Sequence, residues 1–171
     1  MKTLLILVGK TTDKSVAKLT EDYISRIGHY IQFEVNVIPD LKNTSKLTEA
    51  QIKTAEGENI MKLLRPGDHV ILLDEHGKEY RSVDFATKLN KLWSNSARRI
   101  VFIIGGPYGF SQKPVDAANE SISLSKMTFS HQMVRLIFVE QLYRALTILN
   151  HEPYHHERKK RRFGVFLHNY L

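Results

Sequence analysis

Cysteine is absent from this chain of 171 residues, and with it go disulfide frameworks, thiolate zinc sites, iron–sulfur ligation and cysteine nucleophiles. That absence suits a reducing compartment, so the cytoplasm is the expected location. Long apolar runs are missing too. The opening stretch Leu4–Val8 has five apolar residues, short of the roughly 7–15 in a signal-peptide core, and nothing approaches the roughly 18 consecutive apolar residues of a membrane span. No membrane partner is expected. Proline is scarce, at 5 residues, so element boundaries must be read largely from glycine and from changes of hydrophobic period.

An excess of positive charge exists, but it is local. The chain holds 25 basic and 18 acidic residues, a formal +7. Arg158, Lys159, Lys160, Arg161 and Arg162 follow one another with no acid after them, and setting these five aside leaves 20 bases against 18 acids in residues 1–157. The body is nearly neutral, so a phosphate-binding surface on it would have to come from clustering rather than from net charge. With 42% hydrophobic residues the sequence fits one compact domain over residues 1–157. Residues 158–171 form a basic C-terminal extension, either a disordered appendage or an extra clamp on RNA phosphates.

Strand and helix patterns alternate along the body. Thr3–Val8 reads as a buried strand, and Asp13–Ile27 repeats apolar residues at helical spacing. Gln32–Ile38 alternates Phe33, Val35 and Val37 with polar residues, as a half-buried strand does. Thr48 with Gln51 predicts a capping box opening a helix that runs to about Arg65, before Pro66-Gly67. Val70–Leu73 and Ile100–Ile104 are continuous apolar runs of the kind found in parallel strands covered on both faces. Between them a turn at His76-Gly77 and a helix over Ser82–Asn95 are expected. A helix over about Pro114–Asn119 and a short segment Ser121–Leu124 follow. His131–Asn150 is the longest helical pattern, apolar around too much of its circumference for a single stripe. Either it is central to the monomer or it buries a second face against another chain; the second is expected, because a terminal helix of a small domain usually lies outside its sheet. The class is α/β, with a doubly wound, mainly parallel sheet.

Three motifs invite chemistry and fail on physical grounds. Gly9-Lys10-Thr11 resembles the end of a P-loop, but the glycine that motif needs five residues earlier is Leu4. His151-Glu152-Pro153-Tyr154-His155 spells a zinc-protease motif, yet Pro153 breaks the continuous helix that would bring both imidazoles to one face. No metal is expected. Gly105-Gly106-x-x-Gly109 lacks the order of a dinucleotide fingerprint. It does leave the carboxyl end of a buried strand, where open α/β sheets place ligands.

Taken together, Leu72-Leu73-Asp74-Glu75-His76-Gly77, Ile103 to Gly109, and Ile122 to Arg135 closely resemble the RlmH family of SPOUT methyltransferases, as do Glu140 to Ala145 and Pro153-Tyr154-His155. The resemblance runs from the first strand to Glu157. It implies a doubly wound domain with a C-terminal trefoil knot, a homodimer, S-adenosylmethionine as cofactor, and methylation of N3 of a pseudouridine in 23S ribosomal RNA on the assembled ribosome. It also implies a cofactor pocket of Leu73, Gly105, Leu124, Ser125, Lys126, Met127, Thr128 and Phe129, with Gly106 and Gly109 shaping the middle loop. Tyr154 and His155 match a C-terminal tail that reaches the partner's cofactor site. His155 is the first candidate proton acceptor, or else it positions RNA. His131 and Arg135 are further catalytic candidates, Arg135 holding a phosphate or an anionic base; the alternatives are a helix-start residue and an internal pair partner. Glu140 and Arg144 are spaced as a structural ion pair. Two features depart from the family: His156 stands where relatives carry Lys or Arg, and the chain continues beyond Glu157. A catalytically silent ribosome-binding factor is the alternative function.

Overall fold

The computed structural model describes residues 2–95 and 99–156. The basic extension 158–171, with Glu157, lies outside the described residues. The order of elements is β1 (Lys2–Val8), α1 (Lys14–Ile27), β2 (Gln32–Ile38), α2 (Glu49–Met61), β3 (His69–Glu79), α3 (Ser82–Asn95), β4 (Ile100–Ile104), α4 (Gln112–Ala117), β5 (Glu120–Ser123) and α5 (Met133–Leu149). One five-stranded sheet runs β2-β1-β4-β3-β5, and all its pairings are parallel.

Period-two alternation splits each central strand between two cores. Leu5, Leu7, Ile71, Leu73, Phe102 and Ile104 face one side, where Phe85 and Leu89 of α3 and Phe138 and Leu142 of α5 cover them. Leu4, Ile6, Val70, Leu72, Val101 and Ile103 face the other, under Ile60 of α2. Both faces are covered, which is why runs such as Ile100–Ile104 are apolar throughout. The Trp93 indole sits in the first core and donates to Thr3 Oγ1 at 3.3 Å.

Local signals account for most boundaries. Asp13 caps α1 by accepting from the amides of Ser15 and Val16, and the Thr48–Gln51 capping box opens α2. That helix stops at Met61, short of Arg65, because its end tightens: Leu63 N–H donates to Ile60 O at 3.0 Å and Leu64 N–H to Met61 O at 3.3 Å, ahead of a proline that disfavours helical geometry at Arg65.

One expectation is corrected. His76-Gly77 is not a turn that ends a strand: β3 continues to Glu79, and both Leu73 and Lys78 pair with Ile122 of β5 across an irregularity that arches residues 74–77 out of register. Gly77 presses on the Ile122 backbone there, where a Cβ would come within 2.6 Å. α5 lies over one face of the sheet, as a terminal helix of a small domain does. It packs against both α1 and α3, and no residue from Val134 to Leu149 is exposed. Leu136 and Ile137 are only half-buried and belong to neither core, so part of its apolar surface is left uncovered within one chain. Among the described residues no helix is long and apolar enough to cross a membrane.

Candidate active site

The carboxyl ends of β3, β4 and β5 release three chain segments toward one another. β4 leads into Gly105-Gly106-Pro107-Tyr108-Gly109-Phe110. The Gly109 amide donates to the Gly106 carbonyl at 3.1 Å, and Gly109 has φ +78°, a conformation that side chains strain to adopt. A Cβ on Gly106 would stand 2.7 Å from the Glu56 carboxylate, so glycine is what lets this loop rest on α2. Burial, and then the neighbouring Asp40 carboxylate, push the Glu56 carboxyl above its ordinary pKa; its Oε2 is buried with no partner among the described residues.

β3 supplies the arch at residues 74–77, in which Asp74 Oδ1 accepts from the His76 amide at 2.8 Å. β5 releases residues 124–130, whose Thr128 hydroxyl donates to Glu75 at 3.1 Å. Between the three segments lies a crevice of about 730 Å³, a size suited to a cofactor. Leu73, Gly105, Gly106 and Gly109 line it on one side, and Leu124, Ser125, Met127, Thr128 and Phe129 on another. Lys126 belongs to the same loop but is exposed and does not line the crevice. His131 does line it.

The remaining catalytic candidates lie elsewhere. Arg135 is fully buried, and its guanidinium donates to the carbonyls of Val8 (2.6 Å) and Gly9 (2.9 Å) and to Thr11 Oγ1 (3.0 Å). These bonds take three of its N–H donors, and its Nε is buried with no partner among the described residues, so the geometry favours the internal-partner role over a grip on a phosphate or an anionic base. The same contacts explain the P-loop lookalike. Gly9 has φ +78°, and the turn is closed by Arg135 on its carbonyls and by Asp40 accepting from the Lys10 amide at 3.3 Å.

Tyr154 and His155 are not at the crevice of their own protomer. The Tyr154 hydroxyl donates to Glu140 at 3.0 Å and lies 3.0 Å from the Tyr23 hydroxyl. Arg144 covers its ring at 4.8 Å and pairs with Glu140. Burial, then the hydrogen bonds to Tyr23 and Glu140, raise the Tyr154 hydroxyl above its ordinary pKa, so it is held as a donor. His155 Nδ1 lies 3.4 Å from Arg144 Nη1, and its Nε2 is buried with no partner among the described residues. The zinc-motif spacing is broken as the proline implies, since α5 ends at Leu149 and His151 has φ +56°.

Sequence reasoning missed Glu49, Asp74, Glu75, His76 and Tyr108 as crevice residues. Asp74 to His76 stand inside a segment already singled out, and only the arch in β3 turns them into a wall. Glu49, at the start of α2, carries no such signal.

A family model described as "Predicted SPOUT methyltransferase" matches residues 1–155. The chain belongs to the SPOUT methyltransferase family. Among its relatives in that family, proteins named ribosomal RNA large subunit methyltransferase H from Bacteroides fragilis, Phocaeicola vulgatus and Flavobacterium johnsoniae are 63%, 60% and 51% identical, each over 92% of this chain and 100% of the relative. A SPOUT methyltransferase uses a methyl donor, and the crevice is large enough to receive one.

Proposed function

We propose that this SPOUT protein transfers a methyl group from S-adenosylmethionine to N3 of a pseudouridine in 23S ribosomal RNA on the assembled ribosome. The observation that carries the reading is the convergence of the β3 arch, the glycine turn after β4 and the loop after β5 on one crevice, in a chain whose relatives are named for methylation of large-subunit ribosomal RNA.

The residues present fit the cofactor. Leu73, Leu124, Met127 and Phe129 offer apolar cover for an adenine ring, and the backbone of the two loops offers donors and acceptors for its nitrogens and the ribose. Glu49, Asp74 and Glu75 make the rim acidic, which suits a cationic ligand. When bound, S-adenosylmethionine supplies a methyl group already activated on a sulfonium. The protein's own tasks are then to align the target nitrogen and to take its proton as the methyl arrives. His155 is the first candidate for that proton and His131 the second, with Tyr154 orienting the tail as a hydrogen-bond donor.

The active form in this proposal is a homodimer. The tail lies on its own α1–α5 surface, so Tyr154 and His155 meet a crevice only if a second copy brings its crevice to that surface. Exposed Met127 (76%) and Met133 (40%), one in the crevice loop and one at the start of α5, offer apolar area for such a contact. The trefoil knot of the family belongs to the same proposal. It is supported by a chain that leaves β5 at one sheet edge, lines the crevice beside the β4 turn and reaches the β1 turn through Arg135.

The test is methyl transfer from labelled S-adenosylmethionine to ribosomes lacking the modification, with the product mapped by mass spectrometry. A single methylated pseudouridine in 23S ribosomal RNA is expected, with free RNA a poor substrate; no heat of cofactor binding and no transfer would overturn the assignment. His155→Ala should slow single turnover by about 10²–10⁴-fold while leaving cofactor affinity unchanged.

A further inference from the structure

The loop after β5 has few anchors of its own. Ser123 Oγ donates to the Ser125 carbonyl at 2.8 Å, Ser125 Oγ accepts from the Met127 amide at 3.0 Å, and Thr128 reaches Glu75. Residues 126–130 are exposed throughout. At its far end Ser130 starts α5, its Oγ accepting from the Met133 amide at 3.2 Å and its carbonyl from the Val134 amide at 3.0 Å. The helix start is thereby served, and the next polar side chain, Gln132, makes no capping bond.

Gln132 reaches across to the turn after β1 instead. Its Oε1 accepts from the Thr12 amide at 2.7 Å, and its Nε2 donates to the Lys10 carbonyl at 3.1 Å. Both partners are backbone groups whose donor and acceptor sense is fixed, so the amide has one orientation that satisfies them. The turn it grips is itself firmly held, by Arg135 on Val8 and Gly9, by the Gly9 amide on Ile38 O at 2.8 Å, and by the Asp13 cap. Nε2 also lies 3.2 Å from His131 Nε2, and only the imidazole tautomer with a bare Nε2 accepts from that amide.

We propose that Gln132 is a positioning residue, a two-point latch that ties the α5 end of the cofactor loop to the turn after β1 and sets the tautomer of His131 in the crevice. Residues 124–131 are fixed at one end by β5 and at the other by the start of α5 and by this amide, so binding in the crevice is coupled to a turn that does not line it. The inference rests on the reading of the crevice as the S-adenosylmethionine site.

The test compares the full-length protein with Gln132→Met, which keeps length and shape but neither hydrogen bond. In the wild type, adding S-adenosylmethionine should slow hydrogen exchange at the Thr12 amide, and His131 ¹⁵N shifts should report a bare Nε2. In Gln132→Met the Thr12 response should vanish, the His131 shifts should move toward those of a free imidazole, and cofactor affinity should fall about tenfold, the effect of one or two ordinary hydrogen bonds. Amide protection in the α5 core should stay as in the wild type. Unchanged affinity with the Thr12 response intact would overturn the latch, and so would an affinity loss accompanied by lost protection throughout α5. Failure of the wild type to bind S-adenosylmethionine would instead defeat the functional reading beneath it.

Discussion

His151 takes the left-handed position just past α5 at φ +56°, a place where glycine is the unstrained residue. Its amide donates to Ile148 O at 3.2 Å and the Glu152 amide to Thr147 O at 2.9 Å, so the turn closes the helix and sends the tail back toward Tyr23. The side chain costs roughly 1 kcal/mol there, and His151→Gly should raise the unfolding free energy by about 0.5–1 kcal/mol, read by urea denaturation. Glu56 is a second strained residue, of electrostatic kind. Its carboxyl has a folded-state pKa raised by burial and by Asp40, so its favourable contribution is complete below the unfolded value near 4.3 and is lost as pH rises through the elevated folded value. Glu56→Gln should therefore stabilise the protein at pH 8, by less than ~1 kcal/mol because the group is partly exposed, and the gain should vanish by about pH 4; thermal melts across that range check it. Neither feature is legible in the sequence. A histidine in a left-handed turn and a carboxylate under a glycine become visible only when distant backbone is placed beside them.

At the scale of elements, the arch of β3 does most to make the site. The apolar run Val70–Leu73 is plain in the sequence, but the polar residues after it look like its end, because a strand is recognised by what it buries. β3 continues because Ile122 pairs with it twice, and that pairing needs the bare Cα of Gly77. Gly77→Ala should cost at least ~2 kcal/mol, as an unrelieved clash of a Cβ with backbone does, and should loosen β5 and the loop beyond it. A fall in the urea midpoint together with faster exchange at the Ile122 amide would report this, and a midpoint equal to wild type would show that the strands can part without loss. α5 teaches the converse. Its composition announces apolar faces on most sides, but which of them meets α1 and α3 and which is left over, with Leu136 and Ile137, could not be told, since an apolar face has the same pattern whatever it meets.

For the whole molecule, charge and topology divide the work. A nearly neutral body of residues 1–157 carries the crevice, and the five consecutive cations of residues 158–162 carry most of the +7. Removing residues 158–171 should weaken ribosome binding and reduce the slope of log affinity against log salt by as much as about four, measured by binding at several salt concentrations; an unchanged slope would leave the extension without phosphate contacts. The amino-acid sequence by itself determined the α/β class, the two-faced central strands and the helix cap at Thr48, because each is set by the period, propensity or spacing of residues near one another in the chain, while the segments that form the crevice were legible through the family resemblance. Tertiary structure alone decided that Arg135 is an internal brace, that Glu49 and Asp74 to His76 wall the crevice, that Tyr154 and His155 lie off it, and that Gln132 grips the turn after β1. Those outcomes depend on which backbone groups of remote segments are left needing a partner, and no local pattern encodes that.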